Sequence, residues 1–239
     1  MNFFRAMSTI KAISFDLDDT LYENHSLMIT AEQQLQTYLR EHYPQTQKMQ
    51  PADWRSVKRR HLQDTPELAS DMGELRRRTL HSGLQQCGYQ DQALKKAVSD
   101  CFDYFYYQRS NFQVNKTICS LLAELAEKVP LIAITNGNVN LQQIGIADYF
   151  THCLKASLQQ PMKPHPMMFD RAATILGIPH KQVLHVGDNL EKDVMGAIAA
   201  GMQSAWYACN RKMHINHERI TVLPHVKLTE LTDLKKLVG

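Results

Sequence analysis

Asp16, Asp18 and Asp19 put three carboxylates within four residues, directly after the apolar run 10–15. Like charges gathered this closely favour protonation or water, so the cluster is either a solvated turn or a site for something positive. Farther on, Thr135-Asn136-Gly137-Asn138 closes the apolar run 129–135, Lys163 stands within "MKPHP", and Asp188 and Asp193 belong to "GDNLEKD". Each residue type suits a step of phosphate chemistry. Magnesium takes carboxylate oxygens together with water and phosphate oxygens, which fits Asp16 and Asp188, and a dication removes the repulsion among them. An aspartate can attack phosphorus. Asp18 faces the same way as Asp16 if the strand continues and can carry a proton to or from an oxygen. The Thr135 hydroxyl and neighbouring N–H groups can hold phosphoryl oxygens, and Lys163 can offset the charge that builds up during transfer. Taken singly, each stretch is also an ordinary turn or an acidic helix start.

These residues act together only if their elements end at one place. The run 10–15 reads as a short buried strand, and from 27 to about 108 the period is helical. Leu27, Ala31, Leu35, Tyr38 and His42 share a face, and Trp54, Val57, His61 and Leu62 share a second. Thr65-Pro66-Glu67 predicts a cap and helix start running to Gly88, and Asp91 a cap for a fourth helix. Beyond 110 the pattern alternates. A helix at 116–128 precedes a strand at 129–135, then a helix at about 139–147 and a strand at 152–156. A helix from Pro166 stopped by Gly177, a strand at 182–187, a helix at about 191–200 closed by Gly201, strands at 204–208 and 225–228 and a final helix from Thr229 follow. Strands alternating with helices imply an α/β fold, a Rossmann-like three-layer parallel sheet, with an all-helical domain inserted after its first strand. The expected division is a core of 1–21 and 111–239 and an insert of 22–110. In an open parallel sheet ligands bind beyond the carboxyl ends of the strands, where all the residues named above would fall.

The bulk numbers exclude several classes. A formal charge of +3 over 239 residues, with its basic runs short ("KRR" at 58–60, "RRR" at 76–78), gives no nucleic-acid signature. No stretch approaches the roughly 18 apolar residues of a membrane span. The first residues lack the apolar core of a secretory leader. The five cysteines are widely spaced without a CxxC pair, which suits reduced thiols and a cytoplasmic location. Two histidine features read as structural: His185 as a hydrogen-bonded core residue, and the "HINH" pair His214 and His217 as loop.

"DLDDT", "ITNG", "KP" and "GDNLEKD", in that order, resemble the four motifs of the haloacid dehalogenase-like (HAD) hydrolase superfamily, and the helical insert resembles its C1-type cap. By that resemblance Asp16 is the nucleophile and a metal ligand. Asp18 is the acid/base, with its main-chain carbonyl on the metal, and Asp188 is a further ligand. Thr135 and Asn136 bind phosphate, Lys163 stabilises the phosphoryl group, and Asp193 holds the lysine or a metal-bound water. The implied activity is Mg2+-dependent hydrolysis of a small phosphomonoester through an aspartyl phosphate. Alkyl halides leave without a proton, so the aspartate at 18 favours the phosphatase branch over the dehalogenases. The core is also similar to bacterial phosphatases of this superfamily acting in riboflavin synthesis, which implies 5-amino-6-(5-phospho-D-ribitylamino)uracil or flavin mononucleotide as substrate. A sugar phosphate, a nucleotide or a phosphomutase reaction suits the same core, and a non-catalytic interaction protein could keep the fold. In the insert, Arg76 and Arg78 are the candidates to face the substrate, beside an aromatic-rich last helix whose Phe102 and Phe105 also suit packing.

Overall fold

The structure is a computed structural model and describes residues 1–215, 218 and 222–238. The chain opens with the short strand β1 (Asn2–Phe3) and the fully buried β2 (Ala12–Phe15). Four helices follow: α1 (His25–His42), α2 (Pro51–Asp64), α3 (Met72–Gln86) and α4 (Asp91–Arg109). Next come α5 (Lys116–Ala126), β3 (Leu131–Thr135), β4 (His152–Lys155), α6 (Met167–Leu176) and β5 (Val183–Gly187). A π-helical stretch, Leu190–Met195, runs into α7 (Gly196–Ala199), then β6 (Gln203–Trp206) and β7 (Val226–Lys227).

The sheet order is β1-β7-β6-β5-β2-β3-β4, parallel throughout except for β1. β2 lies between β5 and β3, with Ile13 opposite both Leu184 and Leu131. Strand alternation divides its side chains. Ile13 and Phe15 join Leu121, Leu122 and Leu125 of α5 on one face, while Ala12 joins Met168, Phe169 and Ala172 of α6 on the other. Both faces are covered, which is why the strands read as apolar runs rather than alternating ones. Helices α1–α4 close around a separate buried cluster that includes Leu35, Leu39, Trp54, Leu84 and Phe105. No helix among the described residues is long and apolar enough to cross a membrane.

Several local expectations need correction. The helix expected from Pro66 is a 3-10 turn, Pro66–Ser70, followed by a fresh start, because the Asp71 carboxylate accepts from Glu74 N at 2.9 Å and caps α3. Asp91 is the first residue of α4, with Gln90 at the cap position and no side-chain cap. Residues 139–147 form turns rather than a helix. Asn140 Oδ1 takes the N–H groups of Gln142 and Gln143, and Gly145, at φ +78°, turns the chain away. The final helix is a 3-10 stretch, Leu231–Lys236. His217, half of the "HINH" pair, lies outside the described residues.

Within the helical bundle α3 approaches α2 at Gly83, where a Cβ would overlap the Trp54 ring. Alanine would gain up to about 1 kcal/mol of helix propensity, but forcing a nearly buried indole aside costs about 1–3 kcal/mol. Gly83→Ala should therefore lower stability by about 1–2 kcal/mol in denaturant melts; an unchanged or raised midpoint would show that the ring yields freely.

Candidate active site

β2, β3 and β5 end side by side, and a cavity of about 460 Å³ opens beyond them, reached by residues of α3 and α4 on its far wall. Asp16 follows β2 directly, its N–H on Val186 O at 2.8 Å. Asp19, at φ +62°, bends the chain so that its N–H meets Tyr22 O and its carboxylate takes Asn24 N. That tight bend leaves Asp18 on the cavity wall. Its Oδ1 receives Tyr22 OH at 2.7 Å and Arg109 Nη2 at 2.6 Å. Asp18 also explains Gly137, since a Cβ there would stand 2.5 Å from Oδ2.

Lys163 is 1% exposed and its Nζ lies 2.7 Å from both Asp16 Oδ1 and Asp193 Oδ1, and also donates to Ile134 O. The ammonium stays charged. Burial alone would lower its pKa, but the two carboxylates outweigh this and raise it. Burial pushes the Asp16 carboxyl well up, with the Asp193 charge acting the same way against Lys163. Burial would raise Asp193 too, yet Lys163 and a hydrogen bond from His185 hold it below the usual carboxylate range. Asp188 is pushed up to about 6, chiefly by burial, although Arg211 Nη1 sits 2.8 Å from its Oδ2.

Carboxylate oxygens of Asp16, Asp188 and Asp193 all lie within 4.8 Å of one another. An all-oxygen, anionic donor set fits a hard dication such as Mg2+. Asp193 is the most engaged, with Oδ1 on Lys163 and His185 and Oδ2 on Asn189 N; Asp16 has Oδ1 on Lys163 and Oδ2 accepting from Thr20 Oγ1 at 3.3 Å, and Asp188 has Oδ2 on Arg211. The carboxylate of Asp18 is outside this group.

The cavity wall includes Asp16, Asp18, Thr135, Asn136, Lys163, Asp188 and Asp193, which come from four separate stretches of chain. Thr135 Oγ1 accepts Gly137 N at 2.9 Å. The Asn136 side chain is spent on the Lys163 main chain, accepting its N–H at 2.8 Å and donating to its carbonyl at 3.0 Å, so it positions the lysine loop. Arg76 reaches the cavity wall, its guanidinium 3.6 Å from the Phe105 ring centre and 2.8 Å from Glu32. Arg78 is not brought there. It pairs with Glu74 one turn back on α3, on the face turned from the cavity. Phe102 and Phe105 pack the bundle. Sequence reasoning missed Arg109, Tyr22, Asn24 and Arg211. None belongs to a motif, and the 91-residue separation of Arg109 from Asp18 is visible only after folding.

The matching family model is the haloacid dehalogenase-like hydrolase, over residues 10–201. The chain belongs to that family, and it is a phosphatase. It is 32% identical, over the whole of both chains, to the 5-amino-6-(5-phospho-D-ribitylamino)uracil phosphatase YigB of Escherichia coli K12. It is 26% identical to human N-acylneuraminate-9-phosphatase, covering 61% of this chain and 60% of that one. The crystal structure of 2-haloacid dehalogenase from Pseudomonas syringae pv. Tomato DC3000 superposes with a TM-score of 0.89 at 30% identity, covering 96% of this chain and 98% of that one.

His185 has no exposure, lies between Ser14 and Asp193, and burial lowers its pKa below the ordinary value of about 6.5. A depressed folded value means that the unfolded chain takes up the proton first. The contribution is complete above pH ~6.5 and is lost as pH falls through the folded value, by at most about 1.4 kcal/mol per unit. Denaturant melts at pH ~7.5 and ~5.5 should therefore show a larger acid loss for wild type than for His185→Gln. Parallel losses would remove His185 as the cause.

Proposed function

We propose that the chain hydrolyses a small phosphomonoester by way of a phosphorylated Asp16. One observation carries this reading: a nucleophilic carboxylate, a second carboxylate, a hydroxyl and a buried ammonium converge on a single cavity at the strand ends. A carboxylate oxygen of Asp16 attacks phosphorus as the ester P–O bond breaks, and Asp18 gives a proton to the departing alkoxide. Asp18 then takes a proton from water, which attacks the acyl phosphate and returns Asp16 with release of inorganic phosphate. Thr135 Oγ1 and the main-chain N–H groups beside it hold phosphoryl oxygens, and Lys163 balances the charge on them. Asp193 and Asn136 keep Lys163 in place from either end of the residue. Mg2+, held by Asp16, Asp188 and the Asp18 carbonyl, would neutralise the carboxylates and the phosphoryl charge. Residues 22–110 act as a cap over a core made of 1–21 and 111–239, with Arg76 and Phe105 as its contribution to the cavity wall.

The substrate we favour is 5-amino-6-(5-phospho-D-ribitylamino)uracil, with flavin mononucleotide as a related ester. The support is the full-length similarity to YigB and a cavity of drug-like size with one aromatic-guanidinium side. Similarity to the 2-haloacid dehalogenase of Pseudomonas syringae supports a second reading, carbon–halogen hydrolysis. A halide leaves without a proton, so that chemistry gives Asp18 no task, and the phosphatase reading accounts for it.

Phosphate release from a panel holding both flavin-pathway esters, sugar phosphates and nucleotides, with Mg2+ or with chelator, tests the reading, alongside chloride release from 2-chloropropionate. Asp16→Asn should abolish phosphate release, and Asp18→Asn should lower it by about 10²–10⁴ for alkyl esters. Activity surviving in Asp16→Asn, or chloride release without phosphate release, would overturn it.

A further inference from the structure

Directly after β6 the chain touches, in turn, the loops that carry the acidic residues. Tyr207 N donates to Gly187 O at 3.0 Å, Cys209 N to Asp19 O at 2.9 Å, and Arg211 to Asp188. The segment 207–211 lies outside all four motif stretches. Its last contact has two prongs. Arg211 Nη1 is 2.8 Å from Asp188 Oδ2, and Nη2 is 2.8 Å from the Asp188 main-chain oxygen. Trp206 Nε1 donates to that same main-chain oxygen at 2.8 Å. One planar guanidinium thus spans the side chain and the backbone of a single residue, which fixes the carboxylate relative to its own main chain.

The arginine does not take the place a cation would need. Asp188 lines the cavity beyond β2 and Arg211 does not; Arg211 lines a separate cleft of about 360 Å³, together with Tyr207 and Lys227. Among the described residues no hydrogen bond falls on Asp188 Oδ1, because Arg211 uses only Oδ2 and the main-chain oxygen. Asp188 still brings a carboxylate oxygen within 4.8 Å of those of Asp16 and Asp193.

We propose that Arg211 is a positioning residue for the divalent cation, clamping Asp188 so that its remaining oxygen is set toward those of Asp16. This rests on the reading of Asp16 and Asp188 as holders of that cation. Two effects of the arginine oppose each other. Its positive charge repels a dication, while its fork spares Asp188 the ordering that binding would otherwise demand. The Arg211 side chain is 35% exposed, so water screens its charge. The orientation of Asp188 has no such substitute, and outer partners of metal ligands commonly account for 10- to 100-fold in affinity. Orientation therefore wins, and removing the arginine weakens binding although it removes a positive charge.

Mg2+ alone is titrated calorimetrically into the metal-free full chain as wild type, Arg211→Ala and Arg211→Lys. Arg211→Ala should raise the Mg2+ Kd by about 10- to 100-fold. Arg211→Lys keeps the charge but has one nitrogen for two oxygens, so it should also bind more weakly than wild type. Denaturant melts separate this from a general loss of structure. Without metal, Arg211→Ala should unfold near the wild-type midpoint, since a partly exposed ion pair adds little; the rise in midpoint on adding Mg2+ should shrink. Equal or tighter Mg2+ binding by Arg211→Ala overturns the proposal. Wild-type affinity in Arg211→Lys overturns it too, by making charge rather than orientation the cause, and this holds even if Arg211→Ala does not fold. A wild type that takes up no Mg2+ would instead defeat the reading of Asp16 and Asp188 as cation ligands.

Discussion

Lys163 is buried to 1% exposure, with its ammonium 2.7 Å from carboxylates on two different elements. Removing an ammonium from water is costly, and the penalty is met only if opposite charges and hydrogen bonds surround it closely. Asp16 and Asp193 supply the charges and Ile134 O the third acceptor, so all three protons of the ammonium have partners. The demand spreads outward. Asp193 must be fixed by His185 and Asn189 N, and His185 in turn by Ser14 on β2. Gly187 has no side chain because a Cβ there would overlap Asp193. The ends of β2, β3 and β5 and the loop before α6 are thus bound to one cation. A site that must balance phosphoryl charge gains from having this charge fixed before any ligand arrives.

The fold was legible because it rests on periodicity. Runs such as Leu131–Thr135, buried on both faces, need no partner to be recognised, and left-handed glycines such as Gly177 mark helix ends in the text itself. Where local hydrogen bonding competes with the pattern, reading failed. Asp71 breaks one apparent helix into two pieces, and Asn140 with Gly145 removes another, through side-chain contacts that have no signature in hydrophobic spacing. The core motifs were visible for the same reason as the strands, since parallel topology brings every strand end to one edge. The helical bundle offers no such rule. Arg76 and Arg78 are equal in the sequence, yet two positions, just over half a helical turn, separate the cavity wall from a surface ion pair with Glu74.

Asn136 shows a subtler limit. Residue type and position both suit an amide that touches phosphate, but in the fold its side chain closes a two-way pair with the Lys163 main chain. The same motif therefore serves the chemistry at one remove: the strand end carrying Thr135 also determines where the ammonium can be. Arg211 has a similar relation to Asp188, donating to its carboxylate and, through Nη2, to its carbonyl. Trp206 Nε1 shares that carbonyl. Side chains outside the motifs thus decide how much freedom the motif carboxylates keep.

Asp18 is one of the points at which the inserted helices and the core meet through polar contacts. Its carboxylate takes one donor from its own bend, Tyr22, and one from the far end of the inserted helices, Arg109. Asp16, by contrast, is held by a lysine that belongs to the sheet's own loops. The side chain of Asp16 is therefore held by the core, while that of Asp18, the proton carrier in our proposal, is also held by Arg109 of the inserted helices. Under the proposed mechanism, a substitution that shifts α4 leaves the Lys163 contact of Asp16 intact and disturbs the Arg109 contact of Asp18. Under that proposal the phosphoryl end of an ester meets contacts made by the core and the alcohol end meets a carboxylate that the helices also touch. Residues of α4 can then bear on the alcohol end through Asp18, whose carboxylate Arg109 holds.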